Sequence, residues 1–278
     1  MVRLLDSQLV RSDSDSKGDG ASTPADKVEV ALRGTAVILA GLPTTLLIPL
    51  PLTQLVTRRF HRETLLKRIH FMVPWARFCT KAILKARVVV HGREHLPGNT
   101  KGYLFISNHQ SYVDILVLMG ALDTVAFLSK SLVRRIPVLG RCAYAGGTVF
   151  FERNDPEERQ RALEETLQMC EQSTAVVVFP EGTRSPDGNL RDKIHPRAME
   201  EAFWRGLKVI PVALHGTHRI FPKAMDRVRT GQPVSVRIAE PIDPKDFDDA
   251  QTFVQTCWDT VRGLHEECRT DLEALLRT

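Results

Sequence analysis

Asn108 and His109 end the apolar run "YLFIS", and Asp114 follows five positions after the histidine. Histidine is the one side chain whose ordinary pKa lets it both take and give a proton near neutral pH. A carboxylate within reach fixes the tautomer of such a ring and stabilises the imidazolium formed when it accepts a proton. The pair has the composition of a general base with its orienting partner, and equally that of a polar surface turn. Side chains five apart do not stack on a regular helix as those four apart do. A contact between them therefore requires irregular chain in between, or a helix N-terminus.

Three further polar clusters follow apolar runs. In "GGTVFFER", residues 146–153, Glu152 and Arg153 come directly after the run, as either a surface ion or a ligand-facing pair. In "VVVFPEGTRS", residues 176–185, the run stops at Pro180, and Glu181, Gly182, Thr183 and Arg184 follow at once. Glycine lets main-chain amides approach a ligand closely, and the arginine fork suits bidentate binding of phosphate. A tight turn capped by the threonine would use the same residues. The fourth cluster closes "VIPVALHGT", residues 209–217, with Pro211 inside a strand pattern. Proline is tolerated at strand edges and bulges, so a kink is expected there.

The elements that must position these groups alternate between strand and helix from about residue 88. Strands are expected at "ARVVVHG", "GYLFIS", "VAFLSK", "GTVFFER", "AVVVFP", "KVIPVAL" and "PVSVRIA". Several are continuous β-branched runs, the pattern of strands covered on both faces. A helix is expected over 155–172, with Asp155 as cap, Pro156 in the first helical position and Glu158 three beyond the cap. A long amphipathic helix closes the chain from about Asp249. The fold class is α/β, a largely parallel or mixed sheet flanked by helices, and strand ends are where such folds carry their chemistry.

Ahead of this domain the chain reads differently. Residues 1–29 include the Ser-, Asp- and Gly-rich stretch "RSDSDSKGDGASTPADK" and are expected to be a disordered tail. Residues 34–56 carry no charge and have the length of a bilayer span. Pro43, Pro49 and Pro51 oppose a straight helix, leaving a bent span or a re-entrant hairpin. A basic segment follows, with Arg58, Arg59, Arg62, Lys67, Arg68, Arg77, Lys81 and Lys85 among apolar positions at helical spacing. Residues 30–87 are therefore expected to be an N-terminal membrane-associated helical segment, partly embedded and partly on anionic headgroups. A buried hairpin with a solvated basic face is the other account of the basic part. The positive flank places the domain 88–278 on the cytoplasmic face, at the inner membrane if the protein is bacterial.

Bulk composition narrows the partners. The 278-residue chain has a net charge of +5, and 43% of its residues are hydrophobic and 6% aromatic. A mildly basic surface suits anionic lipid or a phosphorylated ligand. No nucleic-acid motif accompanies it, so no nucleic-acid partner is expected. The five cysteines, Cys79, Cys142, Cys170, Cys257 and Cys268, contain no Cys-x-x-Cys pair. That spacing suggests reduced thiols and no thiolate zinc site. A Gly-x-Ser-x-Gly nucleophile elbow is also missing, and a hydrolase using the His109 and Asp114 pair to activate water ranks last.

Taken in order and spacing, the four clusters resemble the glycerolipid acyltransferase family, most closely the bacterial-type 1-acyl-sn-glycerol-3-phosphate acyltransferases. The carriers are Asn108-His109 with Asp114, Phe150 to Arg153, Phe179 to Ser185, and the strand Val209 to Leu214. The resemblance implies transfer of a fatty acyl group from a thioester to a lysophospholipid hydroxyl, giving phosphatidic acid. The donor would be acyl-CoA or acyl carrier protein, with no bound cofactor and no metal. His109 would be the base and Asp114 its partner. Asn108, Arg153, Glu181, Gly182, Thr183 and Arg184 would form the substrate site. Within it, Arg153 and Arg184 would bind phosphate, and Glu181 would arrange the arginines or meet a hydroxyl. One stretch departs from the family pattern. "LRDKIHPRAME", residues 190–200, lacks the usual Phe-Lys pair and glycine. Lys193, His195 or Arg197 could replace the missing charge, and a different acceptor such as a lyso-ornithine lipid is an alternative. A non-catalytic membrane-binding relative is the alternative of another class.

Overall fold

The computed structural model describes residues 72–123, 126–131, 143, 147–152, 154–172, 174, 176–224 and 228–277. The expected tail, the uncharged run 34–56, the basic residues before 72 and Arg153 lie outside the described residues.

All seven expected strands form: β1 Arg87–His91, β2 Tyr103–Ser107, β3 Ala126–Lys130, β4 Val149–Phe151, β5 Val176–Val178, β6 Lys208–His215 and β7 Pro233–Ile238. They make one sheet in the order β1-β7-β6-β2-β5-β3-β4. Every pairing is parallel except β6 with β7, which is antiparallel. Because β2, β5 and β6 are adjacent and run the same way, their carboxyl ends emerge side by side. Those ends carry the His109, Glu181–Arg184 and His215 segments into one place.

The β-branched runs are covered on both faces. In β5, Val176 and Val177 are 0% exposed and Val178 is 6% exposed. Alternate side chains of β2 divide between two cores, Phe105 to one face and Leu104 and Ile106 to the other. The first face is covered by α1 Met72–Phe78 and α2 Val113–Leu122. The second is covered by α3 Pro156–Gln172, α4 Arg197–Trp204 and α6 Ala250–Arg277. Each fully buried Leu, Ile, Val or Phe contributes about 1.5–3 kcal/mol, which is what fixes the sheet between its helix layers.

The helix ends follow their caps. Asp155 Oδ1 accepts from the N–H groups of Glu157 and Glu158 at 2.9 and 3.1 Å, starting α3. Asp249 takes the Thr252 N–H at 2.8 Å just before α6. Pro211 lies within β6, an interior strand, where a missing N–H would ordinarily leave a gap. The register explains its place: Val212 pairs with Ile238, yet Val209 bridges Ile242, so the pairing slips by one residue across it. The Pro211 carbonyl still accepts from Ala239 N–H at 2.9 Å. A bulge accommodates the ring, as the expectation of a kink required.

The described end of the basic segment packs into the domain. Val73, Ala76, Cys79 and Leu84 are buried, and Val73, Ala76 and Leu84 join the core under α2, while Arg77, Lys81 and Lys85 face outward. The hydrophobic core thus begins before residue 88. Among the described residues no helix is long and apolar enough to cross a membrane. Cys79, Cys170, Cys257 and Cys268 are buried free thiols.

Candidate active site

β2 delivers Asn108 and His109 to a short irregular turn, and Asp114 occupies the first turn of α2. The Asp114 carboxylate folds back over that turn. Its Oδ2 accepts from the main-chain N–H of Gln110 at 2.6 Å and of Ser111 at 2.9 Å, and contacts His109 Nδ1 at 2.7 Å. Asp114 is fully buried. An ionised carboxylate can only accept, so the proton lies on His109 Nδ1 and the lone pair on Nε2. The five-residue separation is bridged as the sequence required, by irregular chain entering a helix N-terminus.

The His109 ring is 16% exposed and stacks on Phe179, with ring centroids 4.1 Å apart. It lines a cavity of about 210 Å³ together with Tyr112, Leu128, Phe151, Thr183 and Arg184. One wall is therefore apolar, while the rim carries a cation. The Arg184 guanidinium lies 3.9 Å over the Tyr112 ring, a cation–π contact. Its buried Nη1 has no hydrogen-bond partner among the described residues. A buried donor without an acceptor is costly, and an anionic oxygen in the cavity would satisfy it. A larger open cleft at His91, Glu94, Arg237 and Glu267 contains none of these groups, and its arginine is already paired with Asp271 and Glu267.

The loop from Phe179 to Ser185 is held against the histidine turn by main-chain bonds. Ser185 N–H donates to His109 O at 2.7 Å. Gly182 adopts φ +63°, and a Cβ there would come within 2.8 Å of His195 Cδ2. His195 itself donates its N–H to Pro180 O at 2.7 Å, so the divergent 190–200 stretch lies directly against this loop.

Two of the expected substrate-site residues have their side chains engaged within the fold. Asn108 is 1% exposed; its side chain donates to Leu214 O and accepts from Leu214 N–H, both at 2.9 Å. It ties β2 to β6 and is not among the residues lining the His109 cavity. Glu181 is 2% exposed, and its carboxylate holds two main-chain amides. Its Oε2 accepts from His109 N–H at 2.8 Å and its Oε1 from Arg191 N–H at 2.9 Å. Burial pushes its pKa up to about 7, against the lowering effect of those two amides. His109, Asp114, Gly182, Thr183 and Arg184 are brought together. The sequence reading missed Phe179 and Tyr112, which embrace His109 and Arg184; the aromatic residues beside the two polar clusters were the available signal.

The Acyltransferase family model matches residues 87–215. A chloroplastic 1-acyl-sn-glycerol-3-phosphate acyltransferase of Brassica napus is 32% identical over 84% of this chain and 68% of its own length. The chain belongs to the acyltransferase family. A crystal structure of the 1-acyl-sn-glycerophosphate acyltransferase PlsC from Thermotoga maritima superposes with a TM-score of 0.76 at 26% identity, covering 87% of this chain and 97% of that one. The acyltransferase of Pseudomonas aeruginosa named for lyso-ornithine lipid is 32% identical over 53% of this chain and 62% of its own. The α/β architecture with a mostly parallel, mixed sheet is thus common to this acyltransferase and PlsC.

Proposed function

We propose that this acyltransferase moves a fatty acyl group from a thioester to the sn-2 hydroxyl of 1-acyl-sn-glycerol 3-phosphate, giving phosphatidic acid for phospholipid synthesis. The observation that carries the reading is the His109–Asp114 contact at 2.7 Å on a cavity that also holds an unpaired Arg184 nitrogen. A thioester is already activated, so no enzyme nucleophile is needed. His109 Nε2 takes the acceptor hydroxyl proton as that oxygen attacks the thioester carbonyl carbon. The Asp114 carboxylate stabilises the imidazolium. Negative charge gathers on the carbonyl oxygen, the C–S bond breaks, and His109 returns its proton to the departing thiolate. Arg184, with Arg153 beside it in this reading, receives the acceptor phosphate, and Gly182 and Thr183 shape the loop around it.

The donor is acyl-CoA or acyl carrier protein. The segment before residue 72 anchors the enzyme to the bilayer with its catalytic domain on the cytoplasmic face, and residues 1–29 form a tail ahead of that anchor. The basic flank and uncharged run support this placement. A lyso-ornithine lipid acceptor is favoured by one observation, the divergent 190–200 stretch lying against Gly182.

An acceptor panel tests the reading. With labelled acyl-CoA, membranes bearing the enzyme should acylate lysophosphatidate in preference to lyso-ornithine lipid, glycerol 3-phosphate and other lysophospholipids. Preference for lyso-ornithine lipid transfers the assignment to that acceptor. Thiol release without any acceptor indicates a hydrolase, and no turnover with any pair indicates a non-catalytic relative.

A further inference from the structure

Gln110 is fully buried, and none of the roles above uses its side chain. Its main-chain N–H donates to Asp114 Oδ2. Its side-chain amide runs the other way, into three histidines drawn from separate elements: His215 at the end of β6, His218 in the short helix α5 Thr217–Ile220, and His265 on α6. Nε2 donates to Gly188 O at 2.7 Å and to His215 Nδ1 at 3.0 Å. Oε1 accepts from Gly216 N–H at 3.2 Å and from His218 Nδ1 at 3.0 Å.

The main-chain partners set the directions of the Gln110 bonds. A carbonyl at Gly188 can only accept and an N–H at Gly216 can only donate, so the Gln110 amide has one orientation. His215 Nδ1 must then accept, and His218 Nδ1 must carry a proton. His265 Nε2, 3.1 Å from Gly188 O, must also donate. Gly188 fits only without a side chain, since a Cβ would come within 2.4 Å of the His218 ring.

The rings stay neutral at neutral pH. Burial holds His215 down to about 3 and His218 down to about 4, and lowers His265 as well. The cations Arg219 and Arg269 work in the same direction on His215, while Asp114 and Asp187 partly oppose the shift of His218. Gly188 O and Glu266 oppose that of His265, which Arg269 lowers further.

We propose that Gln110, His215, His218 and His265 form a positioning network, in which the C-terminal helix and the end of β6 fix the Gln110 peptide and, through its N–H, the Asp114 carboxylate. None of the four touches the reacting atoms. The network sets the geometry of the His109–Asp114 pair and so acts on the rate of proton transfer rather than on substrate affinity. The proposal rests on reading His109 as the base.

Steady-state kinetics of the full chain in membranes test it, with acyl-CoA and the acceptor preferred in the panel. His265→Leu removes the donor to Gly188 O at similar volume. It should lower kcat about tenfold or more, as misplaced catalytic groups do, with both KM values nearly unchanged. His265→Gln places an amide nitrogen near the Nε2 position and should recover most of kcat. Phe253→Leu, a core change elsewhere on α6, should lower thermal stability without this kcat loss. Gln110→Glu keeps the shape but cannot donate to Gly188 O, and should reproduce the kcat loss if His265→Leu fails to fold. Equal kcat in the His265 variants and wild type, or a loss confined to KM, overturns the network alone. A kcat loss in Phe253→Leu as large as that of His265→Leu does the same. Turnover that survives His109→Ala overturns the base assignment, and the network with it.

Discussion

The Glu181 carboxylate and the His109 main chain are joined directly, Oε2 accepting the His109 N–H at 2.8 Å while Oε1 holds Arg191 N–H at 2.9 Å. One side chain from the end of β5 thus clamps the histidine turn to the loop leading into α4. Its carboxyl is buried, and its folded-state pKa is raised to about 7, from about 4.3 in an unfolded chain.

That rise sets the sign of a pH effect. Below about pH 4.3 the group is protonated in both folded and unfolded states, and its full contribution is present. Between there and pH 7 the unfolded chain releases the proton while the folded protein retains it, so stability falls as pH rises. Glu181→Gln cannot titrate. The melting-temperature difference, wild type minus variant, should be more positive at pH 5 than at pH 8. A difference constant over that interval would show that Glu181 does not titrate with folding.

Asp114→Asn separates charge from orientation. The amide oxygen can replace Oδ2 and still accept from His109 Nδ1 and the Gln110 and Ser111 N–H groups. The tautomer is then kept, but the negative charge facing the imidazolium is gone. The variant should fold, bind substrates with similar KM, and lose about a hundredfold or more in kcat. His109→Ala should lose at least as much. Near-normal turnover in Asp114→Asn would leave the carboxylate with a purely structural part.

Much of this was legible in the sequence because it is local. Apolar runs such as Val176–Val178 in β5 and Val209–Leu214 in β6 signal strands covered on both faces, and Asp155 and Asp249 cap helices within three residues of themselves. The His109–Asp114 contact is also local, closed across one irregular turn. What could not be read was long-range. Asn108 is spent on Leu214, 106 residues away, and Gln110 on His215 and His218, 105 and 108 residues away. The strand-end position of Asn108 suggested a ligand contact, yet the partner that consumes it depends on β6 lying next to β2. The reversal of β7 against β6 is likewise a property of the whole sheet, invisible in either strand alone.

Arg184 depends on Tyr112 for its position, the guanidinium lying 3.9 Å over the ring. Tyr112→Phe keeps the π face and should change the acceptor KM little. Tyr112→Leu removes it, and a cation–π contact of about 0.5–2 kcal/mol corresponds to a severalfold rise in that KM. Arg184→Lys should not rescue Arg184→Ala, because an ammonium offers neither the planar stack nor the fork for two phosphate oxygens. Rescue by lysine would reduce the site to simple charge attraction. Titrating acceptor at saturating acyl-CoA measures each case.

Gly182 is under two independent constraints, and they can be separated. Its φ of +63° disfavours any side chain, by roughly 1–2 kcal/mol. A Cβ would also come within 2.8 Å of His195 Cδ2, a steric clash that belongs to the partner. Gly182→Ala should therefore raise the acceptor KM and lower the melting temperature, as the loop shifts at the cavity or His195 moves aside. Adding His195→Gly removes the clash and leaves only the backbone strain. The double variant should recover part of the lost stability and part of the acceptor affinity, while His195→Gly alone should be the milder change. If the double variant recovers nothing, the cost lies wholly in the left-handed backbone, and the divergent 190–200 stretch has no steric hold on the loop that carries Arg184.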